Sequence, residues 1–324
     1  RCHGLAPPRS EVLLGLAMTL APELVTRAQG RKTFSQLNFG GASTFVASYS
    51  ADRRSAKRVL LIHGIRGTHH GLEAIVGGLP NYECMVPDLP AFGRSEPLTG
   101  VHDLAALHGW LDELIDLFKP DAIVAHSYGT LLVSGTPAAA GIQQVLINPV
   151  LSPNKNRVHS LSSRLTNGFY QLCNSLGENW GRRLSSSRPL VDAMSFVLAS
   201  KKGSDVRSWV FAQHREHFSS FASLRTLSEH SKLATSLSLK VEPHRKTPLL
   251  LIAATRDPIS DFGQIERFAK EIESAQLEAL EGFGHLKSGK RKRFLDCFQI
   301  ADAQVIRGIH PNRVFIRGCF LELF

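Results

Sequence analysis

Ser127 closes the apolar, β-branched run Ala122-Ile123-Val124 within the sequence Val124-Ala125-His126-Ser127-Tyr128-Gly129-Thr130. Small and apolar residues able to open a helix follow it. A serine at a strand-to-helix junction, with small residues two places before and two after, fits the sharp turn known as a nucleophile elbow. There the strand and helix pass so close that larger neighbours clash, and the hydroxyl is lifted clear of the backbone. Ala125 replaces the first glycine of G-x-S-x-G. That departure is mild, since alanine adds one methyl and keeps ordinary φ/ψ access. An ordinary strand-to-helix turn satisfies so short a pattern too, so the rest of the chain has to decide.

A serine hydroxyl is a weak nucleophile at neutral pH and needs a base. The base needs a partner that fixes its tautomer and stabilises the imidazolium. With an elbow of this kind the order along the chain is serine, acid, histidine, each just past a strand. Two later segments fit. Pro248-Leu249-Leu250-Leu251-Ile252-Ala253-Ala254 reads as a buried strand, and the loop Thr255-Arg256-Asp257-Pro258 after it carries a carboxylate. Gln276-Leu277-Glu278-Ala279-Leu280-Glu281 reads as another strand, and Gly282-Phe283-Gly284-His285 follows. Singly, Asp257 reads as a turn former and His285 as a surface residue, while Asp261 reads as a helix cap. Their joint occurrence in the right order makes Ser127, Asp257 and His285 the candidate catalytic set. Arg58-Val59-Leu60-Leu61-Ile62 is a further buried strand, followed by His63-Gly64-Ile65-Arg66-Gly67. The backbone N–H groups of Ile65 and Tyr128 are the candidate oxyanion donors.

With these residues in view, the chain resembles the α/β-hydrolase superfamily, in its lidded serine hydrolase branch of esterases, carbon–carbon bond hydrolases and aminopeptidases. The matching positions are His63-Gly64, Asp88-Leu89-Pro90-Ala91-Phe92-Gly93-Arg94-Ser95, Ala125-His126-Ser127-Tyr128-Gly129, Asp257 and Gly284-His285. The resemblance covers roughly Arg31 to Gln299 with a divergent middle, and it is nearly silent about substrate. It implies the α/β-hydrolase fold, a mainly parallel sheet covered by helices on both faces with an inserted helical lid. Relatives that open epoxides or displace halides use an aspartate where Ser127 stands, and the epoxide enzymes add lid tyrosines, of which only Tyr170 is present here. In some relatives the acid follows an earlier strand, but Asn148 occupies that loop in this chain.

Short apolar runs alternating with helical stretches independently point to a mainly parallel sheet covered on both faces. Thr33 to Asn38 and Ser43 to Tyr49 read as paired strands joined through Gly40-Gly41, Tyr82 to Pro87 as a short strand, and Val145-Leu146-Ile147 as the strand after the elbow helix. Leu104 to Phe118 shows helical spacing through Leu107, Trp110, Leu111, Leu114 and Leu117. The expected division is an N-terminal extension over 1–30, core over 31–150, a helical cap over 151–246, core again over 247–300, and a tail over 301–324 without functional assignment. Helices are expected in the cap at Arg188 to Ala199 and at Val206 to Phe221.

The cap carries fifteen lysines and arginines against six acids, nearly all of the chain's formal +10. Solvated helix faces account for such charge. A positive rim attracting a carboxylate- or phosphate-bearing substrate, or an anionic membrane surface, is the sharper reading. No nucleic-acid module accompanies it, so no nucleic-acid partner is expected. Lys290-Arg291-Lys292-Arg293 reads as an exposed helix face. His214 and His217 stand at i, i+3, but a metal site would need further ligands and the sequence is not H-E-x-x-H, so a lid helix surface is the expected setting. Neither a metal nor any other cofactor is therefore expected. Cysteines 2, 84, 173, 297 and 319 are scattered without CxxC pairs, which suits a reducing cytoplasm. Val12 to Ala21 is too short to span a bilayer, and no stable membrane insertion is expected.

The expected activity is cleavage of a carboxylic ester or similar acyl bond in a small-molecule substrate, through an acyl-enzyme. One alternative is carbon–carbon bond hydrolysis of an anionic diketone acid. Another, from a different class, is a non-catalytic binding protein that kept the fold. Oligomeric state and acyl chain length are not encoded legibly.

Overall fold

The computed structural model describes residues 22–52, 56–151, 157–198 and 204–280. His285, the basic run 290–293 and the tail lie outside the described residues. Eight strands form one sheet in the order β1-β2-β4-β3-β5-β6-β7-β8. They are β1 Lys32–Phe39, β2 Ala42–Tyr49, β3 Arg58–Ile62, β4 Glu83–Pro87, β5 Ala122–His126, β6 Gln143–Ile147, β7 Leu249–Ala254 and β8 Ala275–Leu280. β1 and β2 form an antiparallel hairpin through Gly40-Gly41, and β2 also runs antiparallel to β4. From β4 to β8 every pairing is parallel.

Parallel strands buried on both faces need apolar side chains at every position, and the central strands supply them. Leu60, Ile62, Ile123, Ala125, Leu146, Leu251 and Ala253 join one core cluster. Their neighbours Val59, Leu61, Val124, Val145, Leu250 and Ile252 join a second. The alternation by two sends successive residues to opposite faces of the sheet. Helix α1 spans 22–29. Helix α2 is Glu73–Gly77, α3 is Leu104–Phe118 and α4 is Tyr128–Gly135.

The apolar spacing read in α3 is its buried face, with Leu107, Trp110, Leu111 and Leu114 inaccessible to solvent. Asp103 caps its first turn by accepting from the Ala106 N–H at 2.9 Å. Leu117 lies off this face and is exposed.

Among the described residues, five helices stand between β6 and β7: α5 Arg157–Ser175, α6 Gly177–Ser185, α7 Arg188–Leu198, α8 Ser204–His217 and α9 Leu224–Ser236. α7 follows its expected limits closely. α8 stops four residues short of Phe221, because Phe221 leaves the helix and forms an antiparallel bridge with Phe92 in the loop after β4. After β7, Asp261 caps α10 (Phe262–Glu271) through the Gln264 N–H, as its sequence context implied. No helix among the described residues is long and apolar enough to cross a membrane.

The junction of β5 and α4 is a tight crossing. A methyl placed on Gly129 would lie 2.7 Å from the carbonyl oxygens of both Ile62 and His63, which are backbone and cannot swing away. Overpacking of this kind costs about 1–3 kcal/mol. Gly129→Ala is therefore expected to lower unfolding free energy by about that amount, read from chemical denaturation. Gly109→Ala, on α3 with open space at its Cβ position, should show no such loss.

Candidate functional site

Ser127 has φ 51° and ψ −120°, a conformation that costs a non-glycine residue about 1–3 kcal/mol. The surroundings hold it there. Its N–H donates to the Ile147 carbonyl of the neighbouring strand at 3.0 Å. Its carbonyl accepts the Thr130 hydroxyl at 2.6 Å and the Thr130 N–H at 2.9 Å. Ala125, where a glycine was the expected residue, is fully buried inside β5 and pairs with Ile62 and Leu146. Its methyl is part of the core.

Ser127 opens onto a cavity of about 350 Å³. The loop after β3 (Gly64, Ile65), Tyr128, insert residues such as Met194 and Trp209, and Pro258 and Ile259 after β7 all border it. The structure thus brings Ser127, Ile65 and Tyr128 to one space. Asp257 precedes Pro258 in the β7 loop, half-buried, and its carboxylate accepts the Ile259 N–H at 2.7 Å. His285 is outside the described residues. Asn148, the residue in the alternative acid position, has φ 46° and ties β6 to the β7 loop. Its side-chain oxygen accepts the Ala254 N–H at 2.9 Å, and its carbonyl accepts the Ser260 hydroxyl at 3.2 Å.

The walls are braced by buried polar groups. The His63 ring donates from Nδ1 to the Gly64 carbonyl at 2.8 Å and accepts the Leu89 N–H at Nε2, 2.9 Å. Burial holds this imidazole below its ordinary pKa, so it is neutral and both bonds stand together. Behind Ser127, the Tyr128 hydroxyl donates to Nδ1 of His230 at 3.0 Å, and Nε2 of His230 donates to the Pro90 carbonyl at 3.1 Å. Burial, with a contribution from nearby His102, pushes His230 down to about 3.

The sequence alone assigns no role to the residue after Ile65. Arg66 is in fact 1% exposed, with φ 60°. Its guanidinium donates to the Phe218 carbonyl at 3.1 Å, the Tyr170 hydroxyl at 3.2 Å and the Ser185 carbonyl at 3.0 Å. The Phe218 ring lies 4.6 Å from it. All three acceptors belong to the insert, and among the described residues no carboxylate pairs with Arg66. It bolts three segments of the insert to the loop that carries Ile65. Its field, after burial, helps hold His214 down to about 4. A lone arginine in a glycine-containing loop gives no sequence signal of this role.

Two expectations follow. In Arg66→Met three acceptors lose their donor, at roughly 1–3 kcal/mol for each one left dry. Stability should fall by about 2 kcal/mol or more, and limited proteolysis should cut the insert before the sheet. His230 titrates near 6.5 in an unfolded chain, so below that pH the unfolded state binds a proton that the native state refuses. Its stabilisation is complete above about pH 6.5 and drains as pH falls towards about 3. By pH 5 the loss should be about 2 kcal/mol, with His214 adding in the same direction. Melting midpoints between pH 7.5 and 5 should drop in the wild type and drop less in His230→Gln.

The sequence matches the model of the alpha/beta hydrolase family over residues 59–290. No curated protein was found to match it. Among solved structures, it is similar to an esterase from Thermogutta terrifontis at 16% identity, with a TM-score of 0.63 and coverage of 86% of this chain and 100% of the other. A carboxylesterase structure from Nitrososphaera gargenis gives 18% identity, a TM-score of 0.63 and the same coverages. Epoxide hydrolase A from Mycobacterium thermoresistibile gives 16% identity, a TM-score of 0.57 and coverage of 86% and 98%. Such identities speak to the fold alone. The family match spans well over half of the sequence, and the chain belongs to the alpha/beta hydrolase family.

Proposed function

We propose that this protein is a serine hydrolase that cleaves a carboxylic ester or similar acyl bond. The observation that carries this reading is the backbone of Ser127, held at positive φ on the floor of a cavity. A helix N-terminus lies directly behind it. Strain of this size is retained where the geometry is used.

In the proposed reaction His285 removes the Ser127 proton as the oxygen attacks the acyl carbon. Asp257 orients the imidazole and balances its charge. The N–H groups of Ile65 and Tyr128 receive the oxyanion, each worth about 3 kcal/mol in comparable sites. The imidazolium then protonates the leaving alcohol as the C–O bond breaks, leaving an acyl-enzyme. Water, deprotonated by the same histidine, attacks it and releases the acid with Ser127 restored. In this scheme residues 151–246 act as a lid over the cavity, and no cofactor takes part.

The lining favours a neutral, apolar acyl group over an anionic diketone acid. Among the described residues, none of the insert's lysines or arginines borders the cavity. Arg66, the lining arginine among the described residues, has its guanidinium engaged with the insert.

Labelling with a fluorophosphonate probe tests the proposal. Wild type should be modified at Ser127 and should hydrolyse p-nitrophenyl esters, while Ser127→Ala should do neither and keep the wild-type melting behaviour. A folded wild type that fails to label would favour a binding protein. Cleavage of a vinylogous diketone acid without ester turnover would favour the carbon–carbon reading.

A further inference from the structure

At the rim of the cavity, the loop after β3 and the start of α2 carry Thr68-His69-His70-Gly71-Leu72-Glu73. One ligating atom from each of His69, His70 and Glu73 can be chosen so that all three lie within 4.8 Å of one another. This cluster is buried where an accidental surface grouping would be open: His69 and Glu73 are each 2% exposed.

The His69 imidazole is set up as a ligand. Its Nδ1 donates to the Asp88 carboxylate at 2.9 Å, and the same oxygen accepts the His69 backbone N–H at 2.7 Å. A carboxylate on one ring nitrogen fixes the tautomer and puts the lone pair on the other, the arrangement that supports histidine ligands of metals. That other nitrogen, Nε2, is buried and has no hydrogen-bond partner among the described residues. A buried imidazole nitrogen left without a partner is a cost that an ordinary polar cluster would have removed.

Glu73 is poised in the same way. Its Oε1 accepts from Lys32 Nζ at 2.5 Å and from the Tyr49 hydroxyl at 3.3 Å, and Oε2 accepts from Gln29 at 3.2 Å. His70 Nδ1 lies 3.7 Å from Glu73 Oε1. Two carboxylates, Asp88 and Glu73, are therefore buried here with Lys32 as the only lysine or arginine in ion-pair contact among the described residues. An added cation would balance the remainder.

We propose that His69, His70 and Glu73 form a binding site for a zinc-class divalent cation, with the open coordination position towards the cavity. Two imidazoles and one carboxylate are donors that zinc, cobalt and nickel accept and that calcium and magnesium do not favour. Tetrahedral zinc with ligands at about 2.1 Å needs donor atoms about 3.4 Å apart, so the group closes slightly on binding. His70, the most exposed of the three, is the partner with room to shift. The His217 ring at the end of α8 stacks on His70 with centroids 4.0 Å apart and planes 12° apart. An ion that fixes His70 therefore also fixes the contact between the insert and the core at the cavity mouth. The earlier expectation of no metal weighed only His214 and His217, and His214 is instead bonded to Ser195 at 2.7 Å.

The test is titration of the metal-free full chain with Co²⁺, read by visible absorption, and with Zn²⁺, read by calorimetry. One high-affinity equivalent with a four- or five-coordinate cobalt spectrum is expected. His69→Ala and His70→Gln should each weaken binding roughly tenfold or more, and His244→Gln, an exposed histidine elsewhere, should not. His70→Gln is partly exposed and keeps the fold testable by its melting curve. Absence of binding to the folded wild type, or binding unchanged in both His69→Ala and His70→Gln, would overturn the proposal.

Discussion

Three stretches of backbone meet behind Ser127 with no space between them, and the rest of the site follows from that crowding. The start of α4 presses Gly129 against the Ile62 and His63 carbonyls. The loop after β3 brings Gly64 so near that a methyl there would lie 3.2 Å from the Ser127 Cβ. A helix leaving a strand at this angle, this close to the neighbouring strand, requires the positive φ of Ser127. The strain is local, and it is held by one bond distant in sequence and one within the first turn of α4: Ile147 takes the Ser127 N–H, and the Thr130 hydroxyl donates to its carbonyl. Sheet, helix and loop are thereby fixed relative to the one hydroxyl.

Around this crossing the buried polar groups divide into two kinds. His63 and His230 are neutral imidazoles that each accept one bond and donate another, so they brace loops without bringing charge into the interior. Asp88 and Arg66 are charged. Asp88 is held below the ordinary carboxylate range, because His69 outweighs the effect of burial. Arg66 is satisfied by two carbonyls and a phenol, with aromatic rings against its face. A guanidinium suits that position because its donors point several ways in one plane, reaching three segments at once. The ammonium of a lysine could not span them.

The central strands were legible because they are buried on both faces and read as apolar runs bounded by turn residues, whereas β1 is largely exposed and was legible only through its pairing across Gly40-Gly41. α3 was legible through its 3.6-residue period. Ser127 stood out because a turn this tight restricts its neighbours to small residues. What stayed hidden depends on contacts between distant segments. Arg66 looks like any loop arginine until Phe218, Tyr170 and Ser185 surround it. His69 and His70 form an unremarkable pair until Asp88, nineteen residues on, takes one nitrogen of the first. α8 ends early for the same reason, since Phe221 satisfies a bridge to Phe92 that no local pattern announces.

The charge of the insert shows how composition misleads when position is unknown. An excess of lysine and arginine over a cavity invites the idea of an anionic substrate, because fields from a rim focus into a low-dielectric cleft. The described cations of the insert lie elsewhere. Arg182 bonds Glu178 and the Phe221 carbonyl, and Arg215 makes a paired contact with Asp192. Arg225 meets Glu229, which in turn bonds His102. These side chains tie insert helices to one another and to the loop after β4, or face solvent, where screening shortens their reach to about 8–10 Å. A cation spent on a neighbouring carboxylate contributes little field to a cavity that it does not line. The character of the cavity follows from the residues that line it, not from the net charge of the insert.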